Sequence, residues 1–266
     1  MPYITTEELD DGVHVATFDN PPLNYFVAEA IAEFQALIVT WDDPRVKAVV
    51  FCGVRGRFIP SLPLDYLLTV AKDRQALPVV APQRFRGFHR MIEGLRLLPK
   101  PVIFALTGDT MGAGLELSLG ADIRVAEAGD YRIGAIESRI GAVPAGGGTQ
   151  NLSRIIGPAA AMYMILRGLI VTPEEALQRG LVHEVVPDAK ARAIALAHDL
   201  ASLPPASVAG IKRAIYRGHD MPLAQGLLLE SESSLAALQS DATLTRIEEV
   251  VAIPAGQRRD YFEPKV

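Results

Sequence analysis

The chain has 266 residues, which, against a prior of about 150 residues per domain, fits one large domain or a domain with an appendage and excludes a mini-protein. Apolar residues make up 49% and charged residues 21%, a globular balance in a chain long enough to bury a core without staples, so disorder is excluded as the main state. Twenty-six Lys and Arg against 31 Asp and Glu leave a net charge of −5, which gives no global attraction to nucleic acid or anionic lipid; an anionic ligand must find local cations. The single cysteine, Cys52, excludes an intrachain disulfide and any multi-cysteine metal site, and a reducing, cytoplasmic setting is expected. Glu7, Glu8, Asp10 and Asp11 stand where a signal peptide needs basic and then apolar residues, so the N-terminal segment is expected to belong to the mature fold. One of the longest apolar runs, Ala159 to Leu166, is far short of the roughly 18 residues of a membrane span.

In chain order, Val13 to Phe18 alternates and is β-rich, and Asp19-Asn20-Pro21-Pro22 ends it as a turn. From Val27 to Val39, Ile31, Phe34, Leu37 and Ile38 recur at helical spacing, and Asp42-Asp43-Pro44 breaks the helix. The near-continuous apolar run Val46 to Val54 reads as a strand covered on both faces. A Gly-, Pro- and Ser-punctuated loop, Gly53 to Pro63, leaves its end, and residues 64–98 turn helical, with Phe85, Phe88, Met91, Ile92 and Leu95 on one stripe. Pro101 to Leu106 is a second buried strand; it runs into the glycine-rich turn Thr107 to Gly114, which opens a helix predicted from Leu115 to Gly120. A strand over Asp122 to Ala126 precedes a second unusual stretch, Gly141 to Gln150. Beyond about residue 150 helices dominate: Ala159 to Arg167, Pro173 to Arg179, Lys190 to Leu203 and Ala206 to Arg217. Thr172 is an N-cap with Pro at N1 and Glu175 at N3. Repeated strand, loop and helix units followed by a helical layer predict an α/β core.

The most informative chemistry lies at Pro101 to Glu116. A buried strand ending in a Gly/Ala loop that starts a helix leaves free N–H groups open to close approach, as an oxyanion hole requires. Gly112-Ala113-Gly114 lacks the Lys-Ser/Thr of a phosphate loop and the spacing of a dinucleotide turn. Glu116, in the first turn of that helix, is by itself explained by the helix dipole, and Glu137, in Ile133 to Arg139, by solvation or by Arg139. Together near one oxyanion site the two carboxylates would divide acid and base work.

These blocks resemble the crotonase, or enoyl-CoA hydratase/isomerase, superfamily over nearly the whole chain. Asn20-Pro21-Pro22-Leu23-Asn24 is similar to its N-terminal turn; Gly53 to Phe58 keeps the spacing into its first oxyanion loop; Lys100-Pro101-Val102-Ile103, Gly108, Gly112 to Leu117 and Ala121-Asp122 follow its K-P-x-I...G-x-x-x-G-G-G-x-E-L...D block. Gly141, Pro144, Gly147-Gly148-Thr149-Gln150, Leu152, Arg154 and Gly157 resemble the next block, and Glu175-Ala176, Gly180-Leu181-Val182 and Val185-Val186-Pro187 the last. The resemblance implies a spiral of ββα units over residues 1–200, a helical trimerisation region over 201–266, and an acyl-CoA thioester as substrate, with coenzyme A entering on the substrate and no separate cofactor or metal. It also implies a homotrimer or a dimer of trimers. Glu116 and Glu137 fall on the two hydratase glutamates, the second after allowing one extra residue between Asp122 and Gly134, and the Ala113 N–H falls on the second oxyanion donor. The first oxyanion loop departs from the family: Phe58 to Tyr66 carries Pro60 and Pro63, and the donor is the N–H of Leu62 counted from Phe58, or of Leu64 counted back from Asp65. Ala135-Ile136 precede Glu137 where hydratases often have Gln-Pro, and Ala145 stands where Gly is common.

Arg55, Arg57, Lys72, Arg74, Arg84 and Arg86 are candidate cations for the coenzyme A phosphates, each also explained as ordinary surface charge. The five histidines are scattered with no paired spacing, which argues against a metal site; lone His89, on the helix before Lys100, is expected to be structural. Cys52 and Trp41 are expected to pack. The sequence thus predicts an enoyl-CoA hydratase-like lyase. An isomerase, decarboxylase or C–C hydrolase using one glutamate is the nearest alternative, and a non-catalytic subunit that lost its first donor is another.

Overall fold

The fold is that of a computed structural model covering residues 2–54 and 56–263; Arg55, one of the expected coenzyme A cations, lies outside the described residues. The chain begins with β1 (Ile4–Glu8), β2 (Val13–Phe18), α1 (Ala28–Trp41), β3 (Ala48–Gly53), α2 (Leu64–Lys72), α3 (Leu77–Leu97) and β4 (Val102–Leu106). It continues through β5 (Thr110–Met111), α4 (Ala113–Ser118), β6 (Ile123–Glu127), β7 (Ile133–Gly134), α5 (Gly148–Ile156), α6 (Pro158–Arg167), β8 (Ile170–Val171), α7 (Pro173–Gln178) and β9 (Glu184–Val186). Five helices close it: α8 (Ala189–Ala201), α9 (Pro205–Gly218), α10 (Leu223–Leu238), α11 (Asp241–Ala252) and α12 (Arg258–Phe262).

The main sheet has the order β1-β2-β3-β4-β6-β9, and a small sheet has the order β5-β7-β8. Among the described residues, β1 alone pairs antiparallel in the main sheet, so the other strands need covered faces. The strand side chains alternate accordingly. Phe18, Val49, Phe51, Val102 and Phe104 point into one core with Phe26, Phe34 and Trp41, where Phe34 meets Phe51 edge-on at a centroid distance of 4.8 Å. Val13, Val15, Val50, Cys52, Ile103 and Val125 point the other way, onto Ala189, Ala193, Ala197 and Ala201 of α8. That alanine row at i, i+4 spacing lets α8 lie close across the sheet.

The helical C-terminal region folds back on the core through one buried polar knot. Asp122 accepts hydrogen bonds from the Val102 N–H at 2.8 Å, Lys212 Nζ at 2.7 Å and the Tyr216 hydroxyl at 2.7 Å, and Lys212 also donates to the Leu95 and Lys100 carbonyls. Four of these donations come from α9 and tie it to the end of α3, to the Lys100 carbonyl before β4 and to Asp122 before β6, and the fifth ties Asp122 to β4. The capping box at Thr172 forms as the sequence predicts.

Three sequence expectations need correction. β1 is absent from the predicted elements, because in ITTEE only Ile4 is buried, leaving no apolar alternation to read. α4 begins at Ala113, not Leu115, since Gly112, at φ +51°, turns the chain into the helix two residues earlier. Phe85 leaves the expected stripe and is 44% exposed, whereas Phe88, Met91, Ile92 and Leu95 are buried. Among the described residues no single helix is long and apolar enough to cross a membrane.

Candidate active site

Neighbouring parallel strands bring the two glycine-punctuated loops together. β3 and β4 pair in register, with Cys52 opposite Ala105, so the loop after Gly53 and the turn after Leu106 leave the sheet side by side. The Thr107 hydroxyl donates to the Arg57 carbonyl at 2.8 Å, and a Cβ at Gly108 would lie 2.7 Å from the Arg57 backbone. These contacts hold the two loops as one layer.

The first loop is pinned at three carbonyls: Asn24 Nδ2 donates to Phe58, the Met111 N–H donates to Ile59 at 3.2 Å, and the Phe26 N–H donates to Ser61 at 3.0 Å. Asn24, which holds a left-handed φ of 60° tolerated by Asn, is thus a loop anchor, a role that its motif alone does not disclose. Leu62 follows, half-buried against the core, and Pro63 caps α2. Leu64 opens α2 with its side chain 51% exposed. The loop lies flush against the start of α4: a Cβ at Gly114 would sit 1.9 Å from the Ile59 carbonyl oxygen. Glycine at 114 is therefore required by packing. Ala113 is the first residue of α4, so its N–H has no partner within the helix.

Glu116 faces inward from α4 and is 7% exposed. Its Oε1 accepts two backbone hydrogen bonds, from the Gly146 N–H at 2.7 Å and the Gly148 N–H at 2.8 Å. Burial pushes its carboxyl up to about 8; the two glycine amides pull the other way, and the Glu137 carboxylate adds to the rise. Glycine at 146 and 148 is a steric requirement as well, because a Cβ at 146 would lie 2.6 Å from the Phe88 ring and 2.7 Å from Glu116 Oε2, and one at 148 would lie 2.8 Å from Pro144.

Glu137 arrives by the small sheet. β7 pairs with β5, and the Gly112 N–H donates to the Gly134 carbonyl at 3.0 Å, which fixes Glu137, three residues on, beside the start of α4. A Cβ on Gly112 would be 3.4 Å from Glu137 Oε1 and 3.4 Å from Ser61 Oγ. The first loop, the α4 start and Glu137 therefore meet around one glycine. Burial raises the Glu137 pKa, offset in part by nearby backbone amides, and its Oε2, like Ser138 Oγ, is buried without a hydrogen-bond partner among the described residues. The structure thus brings together Glu116, Glu137, Ala113 and the Leu62 segment.

Of the expected coenzyme A cations, Arg57 pairs with Asp19 at 3.3 Å and Arg84 stacks over Tyr66 at 4.7 Å; Lys72, Arg74 and Arg86 are exposed. No group of three His, Cys, Asp or Glu side chains able to hold a metal is found among the described residues. Sequence reasoning misses the glycine amides that hold Glu116, although the bare run Gly146-Gly147-Gly148 at a helix start is the available signal. It also misses the bond made by His89, whose Nε2–H donates to the Ala145 carbonyl at 2.8 Å.

A profile of the family described as enoyl-CoA hydratase/isomerase matches residues 8–246. The chain belongs to the enoyl-CoA hydratase/isomerase family. It is 41% identical over 235 residues to an (E)-benzylidenesuccinyl-CoA hydratase of Thauera aromatica, covering 84% of this chain and 86% of that protein. It is 30% identical over 241 residues to a probable enoyl-CoA hydratase of Bacillus subtilis, covering 88% and 90% of the two chains. The crystal structure of an enoyl-CoA hydratase from Geobacillus kaustophilus superposes with a TM-score of 0.87 at 29% identity, over 95% of this chain and 94% of that one. The α/β fold with its helical C-terminal region is therefore the crotonase-type fold of this family.

Proposed function

We propose that the protein is an enoyl-CoA hydratase, adding water across the C2–C3 double bond of a 2-enoyl-CoA thioester. The observation that carries the proposal is the convergence of two carboxylates, the buried Glu116 and the half-buried Glu137, on the paired first loop and α4 start. In this reading the Leu62 and Ala113 N–H groups donate to the thioester oxygen. Leu62 is preferred to Leu64 because it directly follows Ser61, whose carbonyl is pinned by the Phe26 N–H and whose Oγ lies 3.4 Å from where a Cβ on Gly112 would stand, beside the α4 start. A preorganised donor of this kind typically contributes about 2.7–4 kcal/mol to the transition state.

The carboxylates then share one proton near neutrality, since burial and mutual repulsion disfavour ionising both. The ionised member takes a proton from water as its oxygen bonds to C3, and the π electrons move through C2 onto the thioester oxygen. The protonated member supplies the proton to C2, the carbonyl re-forms, and one water has been added. Isomerisation would need only one of the two groups to shuttle a proton.

Exposed apolar side chains on α6 and α10, including Met162, Tyr163, Leu166, Leu227, Leu228 and Leu235, support self-association, and the homotrimer or dimer of trimers that the family resemblance implies is measurable by light scattering on a sizing column. The functional test is turnover of crotonyl-CoA, longer 2-enoyl-CoAs and benzylidenesuccinyl-CoA. A sample that binds coenzyme A esters but hydrates none of them contradicts the proposal. Separate Glu116→Gln and Glu137→Gln variants distinguish hydration, which needs both carboxylates, from a proton shuttle that needs mainly one.

A further inference from the structure

The peptide joining Ala145 to Gly146 is held at both of its polar ends. Its N–H donates to Glu116 Oε1 at 2.7 Å, and its carbonyl accepts from His89 Nε2 at 2.8 Å. A peptide is planar, with its C=O and N–H pointing in opposite directions, so the donor that fixes the carbonyl also fixes the direction of the N–H.

We propose that His89 is a positioning residue for Glu116, acting through the Ala145–Gly146 peptide. Its catalytic consequence rests on the hydratase reading above. Helix α3 presents two adjacent residues to the same peptide: Phe88 packs where a Cβ on Gly146 would stand, 2.6 Å from the ring, and His89 supplies the hydrogen bond. The second amide on Glu116, that of Gly148, belongs to α5 and is held by the helix. The Ala145–Gly146 peptide lies outside the helix, next to Gly147 at φ +108°, in a segment of small residues that imposes little rigidity of its own. Among the described residues it makes no other hydrogen bond. Among the described residues, His89 is therefore the one hydrogen-bonding group other than Glu116 itself that resists rotation of this peptide. Because a carbonyl oxygen only accepts, the Nε2 nitrogen carries the proton, and donation to the carbonyl polarises the amide and strengthens its bond to Glu116. The His89 side chain is exposed, so replacing it leaves the core intact.

The test compares wild type with His89→Ala and with His89→Gln, which keeps an N–H donor at similar reach. Labelling with carbonyl-13C alanine and 15N glycine leaves only the five Ala-Gly peptides of the sequence in the correlated spectrum, among them Ala145–Gly146. In His89→Ala the Gly146 amide proton should move upfield, kcat should fall about fivefold, the worth of one neutral hydrogen bond, with KM unchanged, and the pH-profile limb belonging to Glu116 should move to higher pH. His89→Gln should restore all of these. A Gly146 resonance unmoved in His89→Ala, or a His89→Gln variant as impaired as His89→Ala, would overturn the proposal. The spectrum needs no substrate: a Gly146 shift rescued by Gln in a protein that hydrates no enoyl-CoA supports the positioning role while refuting the hydratase reading.

Discussion

Replacing Glu116 by Gln should make the protein more resistant to urea at alkaline pH than the wild type. The Glu116 carboxyl is raised from 4.5 to about 8, with burial the largest cause, so between those values the folded chain holds a proton that the unfolded chain has released. Stability therefore falls as pH rises through this window. Below it both states are protonated and nothing is lost; above it the full penalty applies, about 5 kcal/mol at 1.36 kcal/mol per unit. Glutamine keeps an oxygen for the Gly146 and Gly148 amides but does not titrate. Its stability advantage should accordingly grow by roughly 3 kcal/mol between about pH 5.5 and about pH 9. Urea titrations at both pH values, at a single protein concentration because oligomer stability depends on it, give the difference directly, and the titration of Glu137, common to both proteins, largely cancels. An advantage that stays flat with pH, or a variant less stable than wild type at the alkaline end, would show that burial does not dominate at Glu116.

Glu137→Gln should reduce hydration roughly 10²–10⁴-fold, measured by steady-state kinetics, and should lower the Glu116 pKa by removing a like charge, visible in a carboxyl-carbon NMR titration. Gly146→Ala places a methyl group 2.6 Å from the Phe88 ring and 2.7 Å from Glu116 Oε2; calorimetry should show a loss of about 1–3 kcal/mol, accompanied by loss of turnover as Glu116 is displaced. Lys212→Met removes the cation from Asp122 and from two carbonyls. Urea unfolding should report a loss of about 3–5 kcal/mol.

The elements with strong apolar periodicity are legible in the amino-acid sequence. The strands ending at Phe18, Gly53 and Leu106, the α1 helix, and the capped α7 all lie where spacing and turn chemistry place them. β1 is illegible because an edge strand with one buried residue carries no alternation, and the two-residue strands β5, β7 and β8 are too short to carry any. At the site, motifs suffice to single out Glu116, Glu137 and Ala113, but the convergence of these residues depends on contacts that no local pattern encodes. The Gly112 N–H bond to Gly134 and the glycine-only fit of Gly114 against Ile59 are long-range. The structure also places the two first-loop registers differently, since Pro63 ends the loop and puts Leu64 on a helix. The bond made by His89 is invisible in sequence because its acceptor is a backbone carbonyl 56 residues away.

The central claim is that Glu116 and Glu137 together add water to a 2-enoyl-CoA. Incubation of crotonyl-CoA and benzylidenesuccinyl-CoA with the protein in ¹⁸O-water, followed by mass spectrometry of the product, tests it most directly. The wild type should give a 3-hydroxyacyl-CoA carrying one heavy oxygen at C3, and Glu116→Gln and Glu137→Gln should incorporate that oxygen about 10²–10⁴-fold more slowly. A wild-type product with a shifted double bond and no heavy oxygen, or labelling at the wild-type rate in either variant, would contradict it.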